Sequence, residues 1–165
     1  AFTPRYEPAV GMGRFLCGSQ SVLAMAALGC GLDTFERSLP LGGMAALRQK
    51  SLALTDAFIG LVQTHCAGHG LVLETPLAHA QRGSQVSFSR HDGAYAVVQA
   101  LIERQVIGDF RAGNPSWGEP HIMRFGFTPL YVGFEDVWRA VTALKDVLDS
   151  GSWRDPRFAI PNPVT

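Results

Sequence analysis

Charged residues are scarce in this sequence, and lysine is scarcer still. Only 17% of the 165 residues are Asp, Glu, Lys or Arg, whereas about 25% is usual for a soluble domain. Lys50 and Lys145 are the only lysines. Because a domain that faces water on all sides normally carries more charge, the shortage predicts that part of the surface is covered. We interpret the chain as a fragment of a longer protein or as a subunit of an oligomer.

Two further absences exclude classes of partner. The formal net charge is zero and the basic residues are scattered, so the sequence lacks the basic patch that a nucleic-acid-binding surface requires. The longest apolar stretch, residues 22–32, is far shorter than the ~20 residues needed to cross a bilayer. We expect no nucleic-acid partner and no membrane segment.

Cysteine is also sparse. Cys17, Cys30 and Cys66 are an odd set of three, which does not make a disulfide framework. No apolar leader with a charged start precedes them. The pattern is typical of a reducing cytoplasm, where we expect the protein to be found. Cys17 and Cys30 are interpreted as small apolar residues of a core.

Hydrophobic periodicity predicts a mixture of helices and strands. Residues 1–20 begin with a Pro- and Gly-rich stretch that has no period and no initiator Met, and we interpret them as a connector. Residues 21–29 are apolar on every side, which predicts a short helix buried all round, with Ser19 or Ser21 as its cap. Residues 21–165 are expected to form a small α+β domain, in which a mostly antiparallel sheet of three to four strands is covered by helices. The other helices are predicted at residues 44–66, 94–104 and 134–148, and the strands at residues 71–74, 85–89, 106–110 and 122–127.

The glycine-rich segment at residues 11–20 leads straight into the first predicted helix. Gly18 is followed by the hydroxyl residue Ser19, an arrangement that directs free backbone N–H groups and the positive end of a helix dipole at one point. That geometry suits a phosphate. It also suits an ordinary helix cap, a common use of such residues, and the residues alone leave both interpretations open.

Arg124 lies in the middle of an otherwise apolar predicted strand. Alternation places it on one face with Ile122 and Gly126, and Gly126 leaves room beside the guanidinium. A planar fork of donors in a partly buried site matches a carboxylate held by two parallel hydrogen bonds. An internal ion pair with Asp109 or Glu103 is the alternative, and composition does not decide between the two.

The remaining chemical candidates are weaker. Cys66 and His69, together with His65, have a metal-like spacing, but no second pair of ligands answers them, so we expect no metal. No histidine follows a nucleophile pattern that would suggest a catalytic triad. Lys50 and Lys145 both fall in helical patterns where a solvated face is expected, which does not suit a Schiff-base lysine. We therefore expect no catalytic residue in this stretch of sequence.

Five blocks of sequence together resemble the kynureninase family, which belongs to the fold-type-I enzymes that use pyridoxal 5'-phosphate (PLP) and to the class V aminotransferase-like superfamily. The blocks follow the family's order, and each alone would be a weak signal. They are residues 13–20, 47–55, 82–88, 106–111 and 123–131.

The resemblance implies a small domain of the fold-type-I fold and a cytoplasmic, homodimeric enzyme of tryptophan catabolism, on the kynurenine pathway towards NAD biosynthesis. The implied reaction is the hydrolysis of L-kynurenine or 3-hydroxy-L-kynurenine, with L-alanine and anthranilate as the products from L-kynurenine and PLP as the electron sink. Arg124 matches the position that binds the substrate's α-carboxylate. Ser19, with Gly18 beside it, matches the position that contacts the cofactor phosphate, apparently from the neighbouring subunit, and the family usually has Thr or Asn there.

The resemblance also has departures and rivals. The family's Schiff-base lysine, its partner for the pyridine nitrogen and its stacking aromatic would all lie upstream of residue 1, so we expect this fragment alone to be inactive and not to bind PLP. The loop at residues 112–120 looks longer than the family's usual connection, and its Trp117 would be part of an active-site lid or of a surface insertion. The alternatives are the small domain of a cysteine desulfurase or class V aminotransferase, and a stand-alone carboxylate-binding module.

Overall fold

The computed structural model of this chain describes residues 4–16 and 18–160. The chain divides into two compact units, residues 1–44 and 45–165. The first unit contains α1, Val22–Glu36, after a short 3-10 turn at Gly11–Phe15. The second contains an antiparallel sheet and most of the longer helix α2, Gly43–His65. The remaining elements are β1 (Leu71–Leu73), β2 (Gln85–Arg90), α3 (Ala94–Glu103), β3 (Asp109–Arg111), β4 (His121–Gly126) and α4 (Phe134–Ser150).

Helix α1 begins where the sequence predicts and ends later. The Oγ of Ser21 accepts a hydrogen bond from the backbone N of Ala24 at 3.4 Å, which confirms Ser21 as the cap. The helix continues through Gly29 and Gly31 to Glu36, because a single glycine inside a helix costs only about 1 kcal/mol relative to alanine. The predicted end at residue 29 was therefore wrong.

The predicted burial of α1 was also wrong. No residue of the helix is buried, and Cys30, predicted to lie in a core, is exposed. Cys17 lies outside the described residues. A helix that is apolar all round is buried only where other elements surround it, and the other described elements of the first unit are two short 3-10 turns and the first residues of α2.

The sheet has the strand order β1-β2-β4-β3, with every neighbouring pair antiparallel. Four strands and the helices that follow them confirm the predicted α+β class. The sheet's inner face carries the alternate apolar residues of β2 and β4, and these pack against α2. The Phe58 ring of α2 lies 5.1 Å from that of Phe125 and 4.9 Å from that of Phe127, centroid to centroid. Burying a ring of this size contributes ~1.5–3 kcal/mol.

Strand β3 starts later than predicted. Residues 106–108 do not pair, because the chain there still serves to end α3. The N–H of Val106 donates to the carbonyl of Leu101 at 2.9 Å, and Gln105 adopts a left-handed backbone with φ of 62°. Pairing with β4 begins at Asp109.

The connection between β1 and β2 is braced by arginines. The side chain of Arg82 is fully buried and is hydrogen-bonded to Asp56 on α2. From the same helix, Arg48 Nη2 donates to the carbonyls of His79 and Arg82 at 2.6 and 2.7 Å, and Ser51 Oγ donates to Ser84 Oγ at 2.7 Å. These contacts with α2 fix the position of the chain at the start of β2, within sequence block 82–88.

The region after α4 packs back against α3 and against Arg90 at the end of β2, which periodicity did not predict. Trp153 is 8% exposed, and its ring lies 4.3 Å from the guanidinium carbon of Arg90. A Cβ added to Gly93 would stand 2.2 Å from the same ring. Glycine at position 93, with φ of 65°, therefore lets the indole approach the start of α3.

Candidate functional site

Polar side chains cluster on the outer face of the sheet, opposite the aromatic core. Alternation along β4 puts Met123 and Phe125 inside, where they are 0% and 5% exposed, and places Arg124 on the outer face, as predicted. Register then places Ser87 of β2 and Asp109 of β3 directly opposite Arg124 on either side. Arg124 is the central residue of a row that crosses three strands.

The ion pair that the sequence left open is present. Arg124 Nη2 donates to Oδ2 of Asp109, and Arg111 Nη2 lies 2.9 Å from the same oxygen. Glu103, the other predicted partner, pairs instead with Arg157 at 3.1 Å. The Arg124 side chain nevertheless remains 33% exposed, so the pair does not seal it from a ligand.

The geometry of guanidinium leaves Arg124 able to hold a second acid group. A guanidinium presents five N–H donors in a planar fork. Asp109 takes one hydrogen of Nη2, and among residues 4–16 and 18–160 the Arg124 side chain has no other hydrogen bond. Whichever Nη2 hydrogen is used, one edge with two parallel N–H groups remains, and that edge matches a carboxylate.

Arg124 faces a short side chain, that of Ser87, on the side towards β2. The backbone N of Ser87 donates to Thr75 Oγ1 and its carbonyl accepts from Glu74, so both groups point away from β4. Ser87 and Arg124 are therefore a non-hydrogen-bonded pair, the arrangement that brings facing side chains closer. A Cβ added at Gly126, the next outer-face residue, would meet nothing within 4 Å. The room expected beside the guanidinium is present.

Gly18 and Ser19 belong to the first unit, whereas Arg124 belongs to the second. Both residues are exposed, and a Cβ at Gly18 would meet nothing within 4 Å. Ser21, not Ser19, caps α1, and the Ser19 hydroxyl has no hydrogen bond with any described residue. A free hydroxyl and an accessible glycine just before a helix N-terminus fit the donor set that a phosphate requires, and the assignment stays a prediction.

The weaker candidates have structural surroundings. Cys66 is 2% exposed, and burial raises the pKa of its thiol to about 11. His69 lies 2.8 Å from Asp149, and no group of three His, Cys, Asp or Glu residues in the described part of the chain could hold a metal ion. Among the described helices, none is long and apolar enough to cross a membrane.

The two lysines differ from each other. Lys145 is exposed and pairs with Asp149, as its predicted solvated position suggests. Lys50 is half-buried and donates from Nζ to the carbonyl of Pro129 at 2.8 Å, so its predicted solvated face was wrong. The helix periodicity that placed Lys50 could not show that the loop after β4 folds over it.

The loop before β4 is pinned at its base. The N–H of Gly113 donates to Nδ1 of His121 at 3.1 Å. Trp117, at the loop's short 3-10 turn, is 77% exposed. Its large apolar surface touches little of this chain, and both interpretations of the loop remain predictions.

A separate open cleft of about 730 Å³ lies between β4, α4 and the end of α3. Arg104, Tyr131 and Arg139 are among its lining residues. Arg104 is already bonded to the carbonyl of Ala100 at 3.1 Å, and Arg139 to Asp136 at 2.7 Å. Arg124 is not among the lining residues of this cleft, whereas its neighbour Gly126 is.

Comparisons with known proteins agree with the sequence blocks. A family model described as the kynureninase C-terminal domain matches residues 47–144. The whole chain is 53% identical to the kynureninases of Burkholderia mallei strain SAVP1 and Burkholderia pseudomallei strain K96243, and 52% identical to that of Pseudomonas fluorescens. The chain spans 37% of the length of these relatives. With its matching α+β architecture, the chain belongs to the kynureninase family and corresponds to the family's C-terminal domain.

Proposed function

We propose that the full-length protein is a PLP-dependent hydrolase that cleaves L-kynurenine or 3-hydroxy-L-kynurenine, and that this chain contributes the group that holds the substrate's α-carboxylate. The observation that carries the proposal is that the Arg124 guanidinium, on the outer face of the sheet, keeps one edge with two parallel N–H groups free. A family match over 98 residues, from 47 to 144, includes that arginine.

Arg124 suits an amino-acid ligand for electrostatic reasons. The cluster of Arg111, Arg124 and Asp109 holds two positive charges and one negative charge, which leaves one positive charge for an incoming carboxylate. Two parallel charge-assisted hydrogen bonds fix the orientation of such a group as well as its position. The residue therefore orients the ligand's Cα relative to the reacting bond.

PLP, when bound, supplies the electron sink for this chemistry. On this chain, Ser19 Oγ and the backbone N–H groups near Gly18 would hold the cofactor phosphate. Both residues fall in residues 1–20, which we propose to connect this chain to a large domain. Because a hydroxyl donates one hydrogen bond to a phosphate oxygen, Ser serves as Thr would. We propose that these groups act in a homodimer, in the cytoplasm, on a phosphate held by the neighbouring subunit.

The Schiff-base lysine is proposed to come from the part of the protein that this chain does not include. Lys145 pairs with Asp149 on the surface, and Lys50 is tied to the carbonyl of Pro129. A catalytic amine needs a desolvated pocket, whereas Lys145 is exposed to solvent and the Lys50 amine already donates to a backbone carbonyl. We therefore expect the 165-residue chain alone to be inactive.

The test is an assay of the full-length protein with L-kynurenine, 3-hydroxy-L-kynurenine and L-cysteine. We expect formation of anthranilate or 3-hydroxyanthranilate together with alanine, and no sulfur release from cysteine. The 165-residue chain, assayed in parallel with added PLP, is the matched negative control. Activity with cysteine but not with either kynurenine would instead assign the protein to the desulfurases.

A further inference from the structure

A single carboxylate oxygen is shared by two arginines on the outer face of the sheet. Arg124 Nη2 and Arg111 Nη2 both reach Oδ2 of Asp109. The three side chains are 33%, 61% and 41% exposed for Arg124, Arg111 and Asp109 respectively. Asp109 is thus held from two directions at the edge of the sheet.

Packing alone does not hold the guanidinium of Arg124 in place. On its own strand, the outer-face neighbours of Arg124 are Ile122 and Gly126, and Gly126 has no side chain; a Cβ there would meet nothing within 4 Å. Across the sheet towards β2 stands the short side chain of Ser87. An arginine side chain has large rotamer freedom, and within residues 4–16 and 18–160 Asp109 provides its one hydrogen bond.

Two roles for Asp109 follow, with opposite consequences. As a competitor, it would occupy donors that a ligand carboxylate needs, and its removal would tighten binding. As an anchor, it would hold the guanidinium in the orientation that exposes the free edge, and its removal would weaken binding. The anchor role is favoured because Asp109 uses only one Nη2 hydrogen of Arg124, and because Arg111 neutralises the acid's charge.

We propose that Asp109, itself held by Arg111, is a positioning residue for Arg124. It fixes the guanidinium so that the edge with two parallel N–H groups faces the ligand's carboxylate. This inference rests on the proposed function, since it deepens the role of Arg124. It assigns to β3 a part in substrate affinity, which Asp109 exerts through Arg124.

The experiment compares Asp109→Asn with wild type in the full-length holoenzyme. Asparagine keeps the shape of the side chain but removes its charge, so the guanidinium loses its charge-assisted anchor. We expect KM for L-kynurenine to rise about tenfold while kcat changes little, the pattern of lost binding that is shared by ground state and transition state. Asp109→Glu, which restores the charge one methylene further out, is expected to recover part of the loss.

A second measurement separates positioning from a general structural defect. Competitive inhibition constants are measured for a non-reactive analogue that carries the α-carboxylate and for the amine that lacks it. Asp109→Asn is expected to weaken the first about tenfold and to leave the second unchanged, because only the first uses Arg124. A variant that merely folds less well loses active sites but keeps the ratio of the two constants.

Glu103→Gln is the matched control, because it neutralises another exposed carboxylate that pairs with an arginine, Arg157, away from β4. An Asp109→Asn enzyme that behaves like Glu103→Gln, or that binds the carboxylate analogue more tightly, would overturn the inference. If instead the wild-type enzyme does not distinguish the two analogues, the proposed role of Arg124 fails and not only that of Asp109.

Discussion

The buried guanidinium of Arg82 is neutralised by Asp56, which reaches it from the middle of α2. Asp56 Oδ2 also lies 2.8 Å from Nε2 of His79, so one carboxylate ties both ends of the 79–82 turn. The Arg82 side chain is 0% exposed, and its Nε has no partner among the described residues. The connection into β2 therefore depends on Asp56.

Asp56→Ala is expected to destabilise the protein by ~1–3 kcal/mol, since it leaves a buried charged donor without its acceptor. Denaturation by urea at pH 7 measures the change. Asp149→Ala is the control, because Asp149 binds the exposed Lys145 and the partly exposed His69, and pairs near the surface contribute about 1 kcal/mol or less. Equal losses in the two variants would contradict the anchoring role of Asp56.

The same carboxylate predicts a pH dependence of stability. Burial acts to raise the pKa of Asp56, but hydrogen bonds from Arg82 and His79 and their charges lower it on balance. A carboxyl with a lowered pKa in the folded state stabilises fully above its unfolded pKa of about 3.9. That stabilisation is lost as pH falls through the lower folded value. Asparagine does not titrate, so the free energy of unfolding of Asp56→Asn is expected to fall less between pH 5 and pH 2 than that of wild type. Urea denaturation at a series of pH values measures the difference.

Replacing Arg124 tests the carboxylate site in the full-length enzyme. We expect Arg124→Ala to lower kcat/KM for L-kynurenine by about 100-fold or more, the effect of losing a charge-assisted pair at ~1.5–3 kcal/mol per hydrogen bond. PLP content, read from the cofactor's absorbance, should stay near that of wild type. Arg124→Lys should recover little, because an ammonium cannot make two parallel hydrogen bonds. Unchanged catalytic efficiency in Arg124→Ala would refute the role.

Ser19→Ala tests the cofactor contact. Loss of one hydrogen bond to a charged phosphate is expected to cost ~1.5–3 kcal/mol, and so to raise the dissociation constant of PLP about tenfold or more. Dialysis against buffer followed by PLP titration measures it. Ser21→Ala removes the cap of α1 but not the proposed contact and is the matched comparison. A larger loss of PLP in Ser21→Ala than in Ser19→Ala would favour the interpretation of this segment as helix capping alone.

Cysteine reactivity reports whether α1 is covered in the whole protein. In a Cys17→Ser background of the 165-residue chain, Cys30 is exposed and should react rapidly with a thiol reagent. Cys66 should react only on unfolding, because burial raises its thiol pKa to about 11 and the thiolate is the reactive form. In the full-length protein, we expect Cys30 to react more slowly by about tenfold or more, as protected groups exchange only through opening. Equal Cys30 rates in the two proteins would show that α1 stays uncovered.

Local patterns predicted the second unit well. The alternation of β4 placed Arg124 opposite the core residues Met123 and Phe125, and the helix predicted at residues 44–66 matches α2, Gly43–His65, to within one residue at each end. These features depend on which face of one element is apolar, and that information is local. The element order and the antiparallel pairing followed from them.

Sequence patterns failed where burial or ion pairing depends on contacts between residues far apart in the sequence. Lys50 is half-buried because the Pro129 carbonyl comes to it from the other end of the unit. Arg82 is buried because Asp56 on α2 neutralises its charge, a contact that the sequence around Arg82 does not reveal. At the site, register fixed that Asp109 and not Glu103 reaches Arg124, and register is a property of the assembled sheet.

Helix α1 exposes large apolar side chains, among them Val22 and Leu23, which are 81% and 84% exposed. Surface of this kind drives association between molecules. The 165-residue chain should therefore aggregate as its concentration rises. Ammonium sulfate should precipitate it at a low salt concentration, since excluded salts strengthen apolar contacts. A mild detergent would keep it dispersed.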